Sequence, residues 1–560
     1  MADAPEPAPA MISASNPWAV QAGNGVLAAG GTALDAAVAV QMVLGFVEAP
    51  ETGLGGGGFL LYHDAASGTL HTYDGRETAS AAADPYQFTL FSLPLPRALA
   101  LTFGQSVGVP GLVAMLGLAH AEHGTLPWAD LLTPAIDLAE TGVPVPDQLR
   151  HSLQRDPSLW LFQDMRRYFI GADRANPPVL QNTELANTLR RLADEGPDAF
   201  YHGDIPAAII ARAQRRRLGA STLTQSDFTA YEALPREPLC APYREWTLCG
   251  PPPPTSGGLA VLQIMGILAF FDLHEMAPGS PEAVHLIAEA SRLALADRFH
   301  YVGDPAVVNV PTEALLDPAY VARRADRIDP SSAATDVLPG RIYDNGRPAV
   351  PPPRVAPSAP VTEGTSHFTV VDAQGNMAVL TSSIEAPFGS RMMAEGFLLN
   401  NQLTDFTFQP NYQGGLHPNA VEPGKRPRSS MAPIVVYNQQ NEPVLALGSR
   451  GGSRIIGYVV QMLVETLDWN QPIYSAVNSP RFLHSGEALE LEADTPLVEH
   501  QAALSALGHT VSVRSLISGV HGVQRTPDGW VGGADPRLDG SASGVYLTPN
   551  GLPINGSSDE

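Results

Sequence analysis

Residues 363–376 read EGTSHFTVVDAQGN. A glycine, two hydroxyl residues and a histidine lead into an alternating run that closes on a polar turn, and MAVLTSSI resumes the alternation from Met377. Period-two alternation on both sides of a tight turn predicts a β-hairpin. The hairpin starts directly after residues 336–362, a stretch with little periodicity in which seven residues are proline. Such a segment is expected to be extended and exposed. A threonine at this junction has a second use. Its hydroxyl is a poor nucleophile without an adjacent base. An α-amine titrating at about 7.7–8.0 would be that base if Thr365 became the first residue of a chain. The Thr365 hydroxyl can make the cut itself by attacking the Gly364 carbonyl, which glycine leaves sterically open. Ser366 and His367 are not a catalytic pair, because adjacent strand residues face opposite sides.

The chain around this stretch has 560 residues, enough for several domains or one large layered domain. Apolar periodicity predicts helices at 33–47, 110–121, 127–141, 183–195, 258–272, 281–298 and 453–467. Thr32 with Asp35 reads as a capping box, Ser280-Pro281 as an N-cap with proline at N1, and Ser453 as an N-cap. Strands are expected at 59–64, 69–74, 397–401, 433–438 and 443–449, with a Pro-Asp-Gly turn at 527–529. Helices first and strands later fit two domains, or one unit whose sheets draw on both halves.

The formal net charge is −24, from 33 Lys+Arg against 57 Asp+Glu. That balance argues against nucleic acid or an anionic membrane as partner. Cys240 and Cys249 both lie in LCAPYREWTLC; a disulfide is open, and two buried thiols are the preferred reading. No histidine or cysteine spacing suggests zinc, and neither metal nor cofactor is expected. The N-terminus lacks a basic n-region and an apolar h-region. A cytoplasmic location is expected as the sequence stands, and a periplasmic or secreted one if a leader has been removed.

GLGGGGFLL (53–61) is not a phosphate loop, because a helix precedes it and a strand follows. It reads as a close backbone crossing. PPPPTSGG (251–258) reads as a rigid entry into a helix. Gly451 and Gly452 stand just before a helix, where backbone N–H groups can face an oxyanion. Taken singly, YDGRETA (73–79), LNNQLTDF (399–406) and KRPRSSM (425–431) read as surface loops. Together they can hold an α-amino acid head. Arg76, Ser429 and Ser430 suit its carboxylate, and Glu385, Gln402 and Asp405 suit its ammonium.

These stretches resemble the γ-glutamyltranspeptidase family of the N-terminal nucleophile hydrolases. The resemblance runs in order through TALDAAVAVQMVLGFVEAPETGLGGGGFLL, YDGRETA, PPPPTSGG, TSHFTVVDAQGN, LLNNQLTDF, GKRPRSSMAP, GGSRII and GGADPRLDGSA, nearly the whole chain. It implies an α+β fold, a four-layer αββα sandwich. It also implies a zymogen that cleaves itself before Thr365 into a large subunit, 1–364, and a small one, 365–560, which stay paired as a heterodimer. The implied activity is hydrolysis or transfer of γ-glutamyl groups from donors such as glutathione, through a Thr365 acyl-enzyme, to water or an amine. Ser383 would support the nucleophile, Gly451 and Gly452 would form the oxyanion hole, and the six head-group residues would keep the tasks given above. Ser383 stands where the family usually has threonine, Glu385 where some members have asparagine, and Arg450 where proline is common, which places a cation near the site. Residues 406–424 correspond to a variable lid. Two alternatives remain: an acylase for glutaryl or β-lactam side chains, against which Asp405 argues, and an unprocessed binding relative.

Overall fold

The strand Ser366–Val371 is buried along its whole length. Both of its faces therefore need apolar cover, and its alternation shows what supplies it. Phe368 and Val370 point into one core together with Ile12, Leu60 and Leu380. Val371 points into another with Met11, Leu61 and Val379. The computed structural model, which describes residues 5–215, 218–344, 347–348, 364–412 and 414–545, places this strand near the centre of a seven-stranded sheet. Across that sheet the strands run Ser541–Val545, Ala10–Ala14, Ser366–Val371, Met377–Ser383, Gly57–Asp64, Thr69–Gly75 and Leu234–Arg236. The expected hairpin is present, with Ser366 opposite Ser382 and Val371 opposite Met377.

A second sheet runs Gly529–Ala534, His521–Thr526, Pro443–Gly448, Ile434–Tyr437, Trp246–Gly250 and Leu239–Tyr243. The inner core between the sheets includes Val435, Ala446 and Val523 from this side. Helices Pro17–Ala28, Ala33–Val47, Leu112–His123 and Trp128–Thr141 cover the outer face of the first sheet. Helices Gly257–Leu268, Pro281–Tyr301 and Ile455–Leu467 cover the second. The result is the four-layer αββα sandwich, and both sheets take strands from before and after the proline-rich stretch. Of that stretch, residues 349–362 lie outside the described residues.

Local signals held where backbone and side chain agree. The Asp35 N–H donates to Thr32 Oγ1 at 3.2 Å and the Thr32 N–H to Asp35 Oδ2 at 2.9 Å, the reciprocal capping box. Ser280 accepts from the Ala283 N–H at 3.3 Å. Ser453 does not cap. Gly451 and Gly452 have φ of 123° and 58°, so the chain is still turning there. One 3-10 turn, Gly452–Arg454, precedes the α-helix that begins at Ile455. The strand expected at 397–401 shrinks to Phe397–Leu398, because Asn400 and Asn401 bond across to other loops.

The glycine run is the close crossing expected of it. A Cβ on Gly55, Gly56, Gly57 or Gly58 would lie 2.0, 2.2, 2.4 or 2.7 Å from the carbonyl oxygens of Leu398, Ser383, Gly75 and Thr381. No side chain fits, so three loops can converge there.

The cysteine expectation is corrected. Cys240 and Cys249 are directly opposed across a hairpin with Cα atoms 4.1 Å apart, and they form a disulfide. Adjacent antiparallel strands bring opposed side chains within bonding reach, which sequence spacing alone did not reveal. Among the described residues no helix is long and apolar enough to cross a membrane. Nor does any group of three or more His, Cys, Asp or Glu among them suit a metal ion.

The disulfide gives a direct test. Protein unfolded without reductant should show no titratable thiol, and two after reduction. Replacing both cysteines by serine should cost on the order of 2–3 kcal/mol from the short closed loop, read as a lower Tm.

Candidate active site

Thr365 opens the central strand at 4% exposure. Its Oγ1 donates to Ser383 Oγ at 3.2 Å, and the same Ser383 oxygen accepts the Glu385 N–H at 2.8 Å. Thr365 has φ 126°, a conformation that a β-branched residue adopts only under constraint. The constraint is visible next door. A Cβ at Gly364 would lie 1.8 Å from the Glu385 carbonyl oxygen, so the Gly364–Thr365 bond is threaded through a slot that admits no side chain. Ser366 and His367 diverge as expected. Ser366 Oγ donates to Glu48 Oε2 at 2.8 Å on the helix side. His367 lies between the sheets, with Nδ1 2.8 Å from Thr381 Oγ1. Burial holds the His367 ring well below the usual histidine range, so it is neutral.

The residues expected to hold a carboxylate do come together. In YDGRETA the Arg76 N–H donates to Asp74 Oδ1 at 2.8 Å, a local Asx turn that fixes the arginine. The Arg76 side chain is fully buried. Its Nε donates to the Pro427 carbonyl at 3.0 Å, and Nη2 donates to Asp405 Oδ2 at 2.5 Å. Ser429 is fixed through its backbone: its N–H donates to the Pro254 carbonyl at 3.1 Å, and its carbonyl accepts the Ser256 N–H at 2.9 Å. PPPPTSGG is thus the scaffold for the serine pair as well as a helix entry. Ser430 Oγ accepts from Arg298 Nη2 at 2.7 Å, and Arg298 Nε donates to Ser256 Oγ at 2.5 Å. Burial pushes the Arg298 guanidinium down to about 10.

The residues expected to hold an ammonium are split. Gln402 Nε2 donates to Asp405 Oδ2 at 2.7 Å, and the Asp405 side chain keeps 27% exposure. Glu385, at φ 80°, is buried and ion-paired with Arg97 at 2.5 Å. Asn401 ties the two loops together: its Oδ1 accepts the Ala386 N–H at 3.1 Å, and its own N–H donates to the Ile384 carbonyl at 3.2 Å. From the segment expected to form a lid, Phe408 stacks on Phe88 with 4.6 Å between ring centroids.

Gly451 and Gly452 follow the strand Pro443–Gly448, whose last residue packs against the His367 ring. Arg450 is the cation expected beside this turn. It is buried, and its guanidinium pairs with Glu51 at 2.8 Å. The Glu51 carbonyl accepts the Ile384 N–H at 3.2 Å, so the glycine turn is linked to the loop that bears Ser383 and Glu385. The GGADPRLDGSA stretch braces the same turn from behind. Asp535 pairs with Arg481 at 3.2 Å and accepts from Ser518. The Arg450 N–H donates to the Gly519 carbonyl at 3.4 Å. Burial opposes the Asp535 charge, yet Arg481 and Arg537 outweigh it and hold the carboxyl at about 2.

Residues 19–545 fit the description Gamma-glutamyltranspeptidase. The chain belongs to the γ-glutamyltranspeptidase family. It is 35% identical to the glutathione hydrolase proenzyme of Escherichia coli, over 94% of this chain and 90% of that protein. It is 33% identical to the acylase ACY 1 proenzyme of a Pseudomonas species, over 95% of this chain and 92% of that protein. Its fold superposes on the crystal structure of cephalosporin acylase from Bacillus halodurans with a TM-score of 0.82, at 26% identity and 97% coverage of both chains.

Within this γ-glutamyltranspeptidase fold, sequence reasoning missed four residues that shape the site: Glu77, Arg97, Arg298 and Asn401. Glu77 and Asn401 had a signal, their places beside Arg76 and Gln402. Glu77 is fully buried, neither carboxylate oxygen has a hydrogen-bond partner, and the Arg76 guanidinium lies 3.6 Å away. Burial raises it to about 8 despite that cation. The folded state therefore keeps a proton that the unfolded chain loses above its ordinary value of 4.5. Stability should fall as pH rises from that value towards about 8. Glu77→Gln should flatten this fall, as measured by Tm across the interval.

Proposed function

We propose that the protein is a self-processing γ-glutamyl hydrolase and transferase with Thr365 as its nucleophile. One observation carries this reading: the hydroxyl of Thr365, a residue held at positive φ, meets Ser383 Oγ, and the residue before it sits where only glycine fits. Processing starts when Thr365 Oγ attacks the Gly364 carbonyl and the C–N bond breaks, which leaves an ester on Oγ and a free α-amine. Water hydrolyses the ester, releasing residues 1–364 with a new carboxylate and 365–560 with Thr365 at its head.

In turnover the α-amine takes the hydroxyl proton as Thr365 Oγ attacks the γ-carbonyl of a glutamyl amide. Ser383 orients the hydroxyl, and the N–H groups of Gly451 and Gly452 receive the oxyanion. The protonated amine gives its proton to the leaving nitrogen, and water or an amino acid or peptide amine then resolves the acyl-enzyme. The carboxylate of the substrate goes to Arg76, Ser429 and Ser430, and its ammonium to Asp405 and Gln402. Arg76 and Asp405 neutralise each other; a zwitterionic head replaces that one ion pair with two. Relatives named glutathione hydrolase proenzyme support a glutathione-like donor and a processed pair of chains.

Purified protein on a denaturing gel should give two bands that sum to 59.2 kDa. Thr365→Ala should leave one band without activity, and Gly364→Ala should process at least tenfold more slowly. A wild type that stays one band yet hydrolyses γ-glutamyl anilides would rule out the mechanism. Asp405→Ala should raise KM for a γ-glutamyl anilide by the equivalent of about 2–4 kcal/mol of lost binding, because the substrate ammonium loses its carboxylate partner.

A further inference from the structure

Arg97 belongs to none of the motifs that mark the site. It opens the four-residue helix Arg97–Ala100, just after the short hairpin of Thr89–Leu90 and Leu93–Pro94. Its Nη2 reaches Glu385 Oε1 at 2.5 Å, and its Nη1 donates to the Thr404 carbonyl at 2.7 Å. Thr404 lies in the turn Gln402–Asp405. One guanidinium therefore spans both loops that carry the ammonium-side residues Glu385, Gln402 and Asp405. The pair is well enclosed, with side-chain exposures of 14% for Arg97 and 2% for Glu385.

A carboxylate attracts an ammonium only as far as its charge is free. Asp405 is partly exposed, and its partner Arg76 is the group that the incoming carboxylate would occupy, so binding a zwitterion exchanges one balanced set for another. Glu385 has no such exchange. The carboxylate of the substrate is already assigned to Arg76 and the serines, and an ammonium joining Glu385 would be placed beside the Arg97 cation. Like charges in an enclosed site repel strongly.

We propose that Arg97 is a specificity-determining residue: by neutralising Glu385 it leaves the acyl pocket open to donors that carry the carboxylate but no α-ammonium, so glutaryl amides are cleaved beside γ-glutamyl amides. This rests on the assignment of the pocket under Proposed function. Asp405 and Gln402 then hold the remaining preference for the amine. Arg97 never touches the reacting carbonyl; it acts through Glu385 and through the spacing of the two loops.

The test compares kcat/KM for γ-glutamyl and glutaryl 4-nitroanilide. Arg97→Gln should raise the γ-glutamyl-to-glutaryl ratio at least tenfold, mainly through a lower KM for the γ-glutamyl donor, while Arg97→Lys stays within threefold of wild type. A processed, active Arg97→Gln whose ratio is unchanged or shifted towards glutaryl overturns the assignment. Because that variant removes the cation paired with a buried carboxylate and can fail to fold, the neutral double variant Arg97→Gln/Glu385→Gln is measured beside it. Its ratio should stay within threefold of wild type, since the pair already acts as a neutral unit; a tenfold fall overturns the proposal. A wild type that cleaves neither anilide instead overturns the pocket assignment, and this one with it.

Discussion

The contact between the Thr365 hydroxyl and Ser383 Oγ depends on register more than on either side chain. Ser366 opposes Ser382 in the central hairpin, which sets the residues just before and just after that pair beside each other at the sheet end. A slip of one residue would turn every side chain of the strand to the wrong core. The cores prevent the slip. Phe368 and Val370 fill one face and Val371 the other, all with essentially no exposure. The reactive hydroxyl is thus positioned by apolar packing several residues away.

Around that fixed point, charge is arranged in closed sets. Arg76 with Asp405, Arg97 with Glu385, and Arg450 with Glu51 each neutralise a carboxylate inside or under the site. Removing one partner from an enclosed pair typically costs about 3–5 kcal/mol, because the other charge is left without compensation. Arg298 differs, since its bonded partners among the described residues are serine hydroxyls. Its Nη2 donates to Ser430, one of the two serines assigned to the carboxylate of the substrate.

How much of this was legible follows from how each feature is encoded. The hairpin, the capping box at Thr32 and the glycine crossing are local: period, turn residues and absent side chains appear in order along the chain. The same holds for Arg76, whose Asx turn is written in YDGRETA. Arg97 and Glu385 stand 288 residues apart, and Arg298 and Ser430 stand 132 apart. No local pattern marks such partners; only the fold brings them together. The cysteines failed differently. Whether they face each other depends on register, which nine residues of spacing do not fix. Nor does any local pattern mark Glu51 as the buried partner of Arg450.

The order of strands in the first sheet bears on how such a molecule can come into being. Ser541–Val545 and Ser366–Val371 enclose Ala10–Ala14, and Met377–Ser383 is bounded by Gly57–Asp64. A cut between Gly364 and Thr365 would leave two chains laced strand by strand into one sheet. Each would lack hydrogen-bond partners for its inner strands if separated. The two would have to fold while still joined, because only the uncut chain carries the connectivity that threads them. Cleavage would then erase the instruction for assembly while leaving the assembly in place, so that denaturation of the mature pair would be a one-way event.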